Sequence, residues 1–303
     1  MNTNSAMEPL RAASEEEIRQ LIQIYEKRLP ESVQFLLLLQ NILRINTTVD
    51  GFDLEEASHR FQKTIYIPNN EYINHFATFV AISREEDQFV LINTLEYPPL
   101  VLTNALQKTN YIKWDHKPMF VIDGNNAIRA KLFHIVEERK LRLESWSECI
   151  NFWMPREEAA KLSFVVPNEV ELKPLQIEHG KVLNEWWPYR YKASQRYMES
   201  AIKHNGGLGL FDKTSGELVA CVFKNDHDAV GHLYTVPDRN NRGYGSTLVK
   251  ALTRQIAFQH KQHVHTFINE ENDRSIRLFE KLGFTAINRT EWLITSSIPA
   301  NSE

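Results

Sequence analysis

Apolar residues recur along this chain with two different periods, and the changes between them mark out its elements. Over 15–45 the spacing is helical, with Leu21, Ile22 and Tyr25 before Pro30 and Val33, Leu36 and Leu37 after it. One or two helices are expected there, with the proline at a joint. Three short runs at 64–67, 76–82 and 89–92 are rich in β-branched and aromatic residues and read as strands. The clusters Pro68-Asn69-Asn70 and Arg84-Glu85-Glu86-Asp87 between them favour turns. Helical spacing returns over 99–113 and 126–138.

A boundary is expected within 155–172, where Phe164-Val165-Val166-Pro167 meets a charged stretch, dividing the chain into 1–165 and 166–303. Beyond it the pattern predicts a strand at 172–177 and helices at about 179–187 and 193–204. Strands at 207–211 and 217–223 follow, joined by the hairpin loop Asp212-Lys213-Thr214-Ser215-Gly216. Asn225-Asp226-His227-Asp228 turns into a fourth strand ending at Val236. Then come a helix with Leu248, Leu252 and Ile256 on one face, a strand at 263–269, a short helix and a last strand pair around 284–294. No internal repeat and no low-complexity segment interrupts this order.

The segment Val236-Pro237-Asp238-Arg239-Asn240-Asn241-Arg242-Gly243-Tyr244-Gly245-Ser246 carries the clearest chemistry. A strand stops at a proline, and a basic, glycine-spaced loop opens directly into an amphipathic helix. Glycines two apart let backbone come close to a ligand, and the first-turn amides of a helix have no intrahelical partners. Those N–H groups and the positive end of the helix dipole suit a pyrophosphate. A plain loop before a helix looks the same, so a second motif matters. Asn272-Asp273-Arg274-Ser275-Ile276-Arg277-Leu278-Phe279-Glu280-Lys281-Leu282-Gly283-Phe284 reads as a short helix capped by Asn272 and stopped by Gly283, with Ile276, Phe279 and Leu282 on one face.

Composition narrows the partners. At 303 residues the chain has room for two domains of about 150 each. A formal charge of −4 gives no basic footprint for nucleic acid. The longest apolar run, Phe35-Leu36-Leu37-Leu38-Leu39, is too short to span a bilayer, so no membrane partner is expected. Cys149 and Cys221 suggest neither a disulfide framework nor a metal site, and a reducing, cytoplasmic setting fits them. The acidic stretch before residue 18 is unlike an arginine-rich transit peptide.

Taken together, the strand–loop–helix, the strand after it and the capped helix resemble the GNAT acyltransferase superfamily, with an FR47-like C-terminal domain. Tyr25-Glu26-Lys27-Arg28-Leu29-Pro30-Glu31-Ser32, and Ser194-Gln195-Arg196-Tyr197-Met198-Glu199-Ser200-Ala201-Ile202 after Trp186-Trp187-Pro188-Tyr189-Arg190, are similar to glycine N-acyltransferase and its relatives. The resemblance implies an α/β (α+β) protein of tandem GNAT-like domains. Each would be a mixed, mostly antiparallel sheet flanked by helices, the N-terminal one degenerate and without a pyrophosphate loop. It implies transfer of an acyl group from acyl-CoA to the amine of a small acceptor, glycine or another amino acid, and leaves a mitochondrial setting open.

The same resemblance assigns roles. Backbone N–H groups from Arg242 through Gly243, Tyr244, Gly245 and Ser246 to Thr247 would hold the coenzyme A diphosphate, supported by the cations of Arg239 and Arg242. Asn240 stands where the family has Arg or Gln. Backbone amides of Leu233, Tyr234, Thr235 and Val236 would polarise the thioester, a contribution of about 3 kcal/mol. Asn272 and Ser275 would meet the pantetheine arm, and Phe279 stands where many members have a tyrosine for the leaving thiolate. The family's strand glutamate falls on Ala229. The catalytic candidates are therefore His232, Tyr234 and Asp228, the last one position off unless a bulge shifts the register.

Trp187, Tyr189 and Arg190, with Trp186 and Tyr191 beside them, would form the acceptor pocket, where Arg190 could fork a carboxylate. The same residues would also suit a lid and a solvated arginine, and His232 a core position. No cysteine falls near the thioester by motif count, so direct attack in a ternary complex is expected, without a metal. Two other readings stay open. One is protein N-acetylation; the other is a non-catalytic acyl-CoA binder, to which Asn240, Ala229 and Phe279 point.

Overall fold

The computed structural model describes residues 7–47, 58, 60–69, 73–85 and 88–297. Asn70, Glu86 and Asp87, in two of the expected turns, lie outside the described residues. In chain order the elements are β1 (Leu10–Ala12), α1 (Glu15–Glu26), α2 (Val33–Thr47), β2 (Lys63–Pro68), α3 (Ile73–Phe76), β3 (Phe79–Ser83), β4 (Phe89–Asn93), α4 (Leu100–Lys108), β5 (Met119–Asp123), α5 (Asn126–Glu138) and β6 (Leu141–Met154). There follow α6 (Arg156–Lys161), β7 (Val170–Pro174), α7 (Gly180–Trp186), α8 (Ser194–Asn205), β8 (Gly207–Asp212), β9 (Leu218–Lys224), β10 (Val230–Thr235), α9 (Tyr244–Gln255), β11 (Val264–Asn269), α10 (Asp273–Lys281) and β12 (Thr285–Ser297).

Backbone contacts divide the chain into two compact units. The first comprises Met1–Lys27, Gln62–Cys149 and Asn288–Glu303; the second comprises Arg28–Phe61 and Ile150–Ile287. Neither is one continuous stretch. The second takes in α2 from early in the chain and the first takes in the end of β12, whereas the sequence pattern suggests a single division after residue 165.

In the first unit the strand order is β1-β2-β3-β4-β5-β12, antiparallel except where β4 runs parallel to β5. β3 and β4 are buried along their whole length, which explains their unbroken apolar sequences, FVAIS and FVLIN. Residues of α4 and α5, among them Leu106, Leu132 and Ile135, pack with Val80, Val90 and Phe120 into one core. At the strand–turn–helix from β5 into α5 the side chain of Asn125 accepts from the amides of Ala127 (2.9 Å) and Ile128 (3.5 Å). Those first-turn amides are thus occupied, and β5 is paired on both sides. No anion site is left at this helix start.

The second unit is built on an antiparallel sheet in the order β10-β9-β8-β7. Alternation along β9 serves two cores. Ala220 and Val222 join Leu248, Leu252 and Phe279 in one, while Cys221 and Phe223 join Tyr197, Met198 and Leu183 in the other. β11 pairs not with β10 but in the other sheet, beside β6. β10 and β11 are therefore edge strands of different sheets, and their facing backbones are not laddered together.

Several elements differ from the expectations. β5 and β6 are absent from the sequence pattern, because β5 is short and follows a Lys-Pro, and β6 is exposed along most of its first half, so its residues lack a clean apolar alternation. The last strand pair is a single strand, β12, whose partner is β5. Residues 76–82 split into the short α3 and a strand that begins at Phe79.

The β9–β10 hairpin is locked by a buried ion pair. Lys224 Nζ donates to Asp228 Oδ1 at 2.6 Å, with both side chains 1% exposed, and Arg44 of α2 stands 3.8 Å from the same carboxylate. Asp228 adopts φ 60° in the turn rather than a strand position. Removing one partner of such a pair strands the other in a dry environment. Asp228→Ala is expected to destabilise the protein by about 3–5 kcal/mol in urea unfolding, and a loss below about 1 kcal/mol would show that the pair is not the lock.

Candidate functional site

The site begins with one extra residue. Gly231 pairs with Phe223 and Tyr234 with Cys221, so three steps along β10 match two along β9, a β-bulge. His232 takes up the insertion at φ 53°, a left-handed conformation that a residue with a side chain adopts at a cost of about 1–2 kcal/mol. The bulge flips the alternation. Val230 faces the α9 core, but His232 and Tyr234 turn to the opposite face, toward α7 and α8.

On that face the aromatic residues converge. Trp186 stacks on Tyr234 (4.8 Å between ring centres), and His232 lies flat on Phe223 (4.3 Å, 6°) with Trp187 edge-on at 5.2 Å. Together with Leu183, Met198 and Cys221 they line a half-open cavity of about 70 Å³. The imidazole keeps some surface along this cavity yet is otherwise surrounded by ring carbons. Burial pushes its pKa down to about 4, with Asp226 acting upward and Arg60 downward, so it is neutral near pH 7. A neutral imidazole can take a proton, although at this pKa it is a weak base.

Tyr197, Asp226 and Arg60 have no counterpart in the sequence-level site. The Tyr197 hydroxyl donates to Asp226 (3.0 Å), Arg60 Nε donates to the same carboxylate (3.3 Å), and the Arg60 guanidinium lies over the Tyr197 ring. Tyr197 in turn stacks on Trp187. This buried network braces the wall of the cavity. No spacing signal could have found it, because its members come from three distant stretches of chain.

Below β10 the strand reaches Pro237 and the loop. Val236 N–H bonds to Val219 O at 3.0 Å, so by alternation the N–H of Thr235 points away from β9, to the open edge facing β11. Gly243 is the N-cap of α9 at φ 80°, and a Cβ there would meet nothing within 4 Å. The first amide of the helix with an acceptor is that of Thr247, onto Gly243 O at 3.0 Å. Among the described residues, those of Arg242, Gly243, Tyr244, Gly245 and Ser246 have none. Gly245 sits between Leu233 of β10 and Leu278 of α10, whose methyls lie 3.6 and 3.7 Å from where its Cβ would be. An open edge strand and a run of unused N–H groups thus meet at one end of the β10–β11 gap, a fit for a thioester carbonyl and a diphosphate.

The side chains expected around this loop are mostly otherwise engaged. Arg239 pairs with Asp212 at 2.9 Å, Thr247 Oγ1 donates to Val165 O, and the Tyr244 hydroxyl donates to Glu169. Arg242 is exposed at the loop, and Asn240 accepts from Arg274 of α10 at 2.9 Å. Asn272 caps its helix by accepting from Ser275 N at 3.1 Å. Phe279 is 3% exposed and packs edge-on against Phe284, inside the core rather than on the gap.

Of the acceptor candidates, Trp187 lines the cavity, while Tyr189 and Arg190 are exposed outside its lining. Arg190 donates to Glu185 O at 3.0 Å. Asp228 lies in the hairpin turn, locked to Lys224, and Ala229 is buried beside it. Cys221 corrects the expectation from motif counting: it does line the cavity, with Sγ 3.7 Å from His232 O. Burial pushes its thiol up to about 12, so it offers almost no thiolate for a covalent acyl-enzyme. Among the described residues no cluster of three His, Cys, Asp or Glu could hold a metal ion, and no helix is long and apolar enough to cross a membrane.

Residues 207–293 match the FR47-like protein family, and residues 9–135 match a domain of unknown function, DUF5645. The chain is 26% identical over 94 residues, 30% of its own length and 67% of the relative's, to an acetyltransferase of Pectobacterium atrosepticum. In fold it is similar to a Drosophila protein solved by X-ray (TM-score 0.87, 22% identity, 95% of this chain and 99% of that one). It is also similar to a tandem GNAT protein from the clavulanic acid biosynthesis pathway (TM-score 0.54, 11% identity, 96% and 99%). A third similar fold is a GCN5-related N-acetyltransferase from Sphaerobacter thermophilus (TM-score 0.56, 10% identity, 97% and 98%).

Two outcomes follow from this geometry. Gly243→Ala introduces no clash but forces a side chain into a left-handed conformation. It is expected to lower stability by about 1–2 kcal/mol and to weaken coenzyme A retention, both read by urea unfolding with and without the ligand. An unchanged midpoint in both conditions contradicts the assignment. The second concerns acid. His232 and His265 are both pushed by burial from 6.5 down to about 4. Each takes up a proton on unfolding between those values, so the stability it lends is present above pH 6.5 and is lost as pH falls toward 4. Urea midpoints should fall across that window, and His265→Gln should flatten the fall; a midpoint independent of pH there contradicts it.

Proposed function

Starting from a second unit that carries an FR47-like domain of the GNAT superfamily, a fold that supports acyl-CoA-dependent N-acyl transfer in general, we propose that this protein acylates the amine of a small acceptor such as glycine or another amino acid. The observation that carries the proposal is the meeting of three features in one unit: the unused amides from Arg242 to Ser246, the open edge of β10 and the half-open aromatic pocket behind its bulge.

Acyl-CoA would lie with its diphosphate on the first turn of α9 and its pantetheine in the gap between β10 and β11. The thioester oxygen would accept from backbone N–H on the free edge of β10, at or near Thr235. The acceptor nitrogen, once deprotonated, attacks the carbonyl carbon, the C–S bond breaks, and its electron pair leaves on sulfur. Before attack the ammonium proton passes to His232 directly or through water, and the second proton, shed by the nitrogen as the amide forms, goes to the departing thiolate or to solvent. A small aromatic pocket without a carboxylate in its lining, rather than a long acidic groove, favours a small acceptor over a protein N-terminus.

A second reading is a non-catalytic acyl-CoA binder. What favours it is that the titratable groups nearest the bulge are withdrawn from easy proton transfer, His232 downward and Cys221 upward, while Phe279 sits in the core. Calorimetric titration with coenzyme A, followed by thiol release from acyl-CoA over a panel of amines, separates the two. The enzyme reading expects binding plus turnover, with His232→Gln lowering kcat by about 10²–10⁴ while coenzyme A affinity is kept. Binding without thiol release on any amine supports the binder, and no binding at all removes both.

A further inference from the structure

Two carboxylates stand beside a loop whose bare amides suit an anion, and their partners explain why. Asp212, at the end of β8, accepts from Arg239 Nη2 at 2.9 Å, with the two side chains 8% and 27% exposed. Glu169, just before β7, accepts from the Tyr244 hydroxyl at 3.0 Å. The two acidic residues are linked, because Lys213 N–H donates to Glu169 O at 3.0 Å. Left unpaired, each carboxylate would repel a diphosphate and weaken its binding.

Asp212 is itself fixed. Its Oδ1 accepts from the amides of Thr214 (2.8 Å) and Ser215 (3.1 Å) in the β8–β9 turn, which leaves Oδ2 for Arg239. The amides of Ser215 and Thr214, with Arg239 beside them, hold its carboxyl below the usual carboxylate range, so it is ionised near neutral pH.

The loop needs such an anchor. Asn241 at φ 61° and Gly243 at φ 80° are both left-handed, and for the asparagine that conformation is unfavourable by itself. The main-chain bonds of the loop end with Arg239 N–H to Val236 O (3.0 Å) and Asn240 N–H to Pro237 O (3.3 Å). Among the described residues, no amide from Asn241 to Ser246 has a main-chain acceptor. Side chains take over: Arg239 is tied to Asp212, and Asn240 accepts from Arg274 of α10 at 2.9 Å. Arg239 also stands 3.5 Å from the exposed Asp238. Consecutive residues are thus held by two different elements, and Tyr244, just past the left-handed stretch, is held by Glu169.

We propose that Asp212 and Arg239 are positioning residues for diphosphate binding: their ion pair holds the loop in its left-handed form, so that a carboxylate strengthens the binding of an anion. This rests on the coenzyme A reading above and assigns Arg239 to the loop's own shape rather than to contact with the ligand. A loop already held in its binding shape loses less freedom when the ligand arrives.

The test is calorimetric titration of the native chain, Asp212→Asn, Arg239→Gln and the double variant with coenzyme A and with inorganic pyrophosphate. Asparagine keeps an oxygen for the turn amides and removes only the charge. Direct electrostatics and positioning differ in sign. Removing a negative charge near a diphosphate, or freeing Arg239 to reach it, tightens binding, whereas loosening the loop weakens it. The proposal expects Asp212→Asn and Arg239→Gln each to weaken both probes by about three- to tenfold. The double variant should be no weaker than either single one, because both break the same pair.

A second readout needs no ligand. In Asp212→Asn, backbone order parameters of Asn240 to Ser246 should fall from the rigid range of about 0.85 toward about 0.6, with the rest of the fold unmoved. Unchanged or tighter binding in Asp212→Asn, or weaker binding with loop order unmoved, overturns the proposal while leaving the coenzyme A site intact. If the native chain binds pyrophosphate but not coenzyme A, the acyl-transfer reading falls and the ion pair is judged on pyrophosphate alone. Binding of neither probe removes the diphosphate site and this proposal with it.

Discussion

Between Gly231 and Tyr234 the edge strand of the second sheet carries one residue more than its neighbour, and almost everything at the site follows from how that residue is accommodated. Without it, His232 and Tyr234 would share a face with Val230 and be packed under α9. With it, they turn toward α7 and α8 and meet Trp186 and Trp187. A left-handed histidine in a strand is unfavourable by itself, so the surrounding contacts must over-determine it. They do: Phe223 lies flat beneath the ring, Tyr197 and Trp187 press on it, and the Lys224–Asp228 pair fixes the hairpin from which the strand starts. The bulge also sits on the outermost strand, so the twist it adds is taken up at an open edge rather than inside a ladder.

Two of the strand–turn–helix units of the chain show how little separates an anion site from a capped helix. Entering α5, Asn125 folds its side chain back onto the first-turn amides, and β5 is hydrogen-bonded on both sides. Entering α9, Gly243 has no side chain to fold back, and β10 has one free edge. The dipole and the unpaired N–H groups are general properties of a helix start. Whether a ligand can use them depends on one residue and on whether the adjacent strand has a partner. This contrast separates a helix start that leaves its amides open from one whose own side chain occupies them.

Much of this was legible in the sequence. Loop 237–243 and the Asn272 cap depend on local chemistry, glycine, proline and a short polar side chain, and such chemistry shows in the residues themselves. Leu218 to Phe223 of β9 show as an unbroken apolar run because the two faces of that strand serve different cores. What could not be read had nonlocal causes. Asp228 looked available as a base, but its partner Lys224 and its neighbour Arg44 are set by tertiary packing. Cys221 is near the bulge only because β9 and β10 pair. Phe279 reads the same whether it lines a gap or fills a core. The alternation of β6 lapses at Glu144, Ser145 and Trp146, exposed in succession, so the apolar signal is interrupted there.

The central claim is that bare backbone amides at the start of α9 clasp a diphosphate, and the most direct measurement is an amide-resolved NMR titration with coenzyme A. The account predicts saturable shifts concentrated on Arg242 to Ser246, with smaller ones on Thr235 and along β10, and none at Ala127 or Ile128 in the capped helix. Shifts that bypass 242–246, or that appear equally at α5, would contradict it.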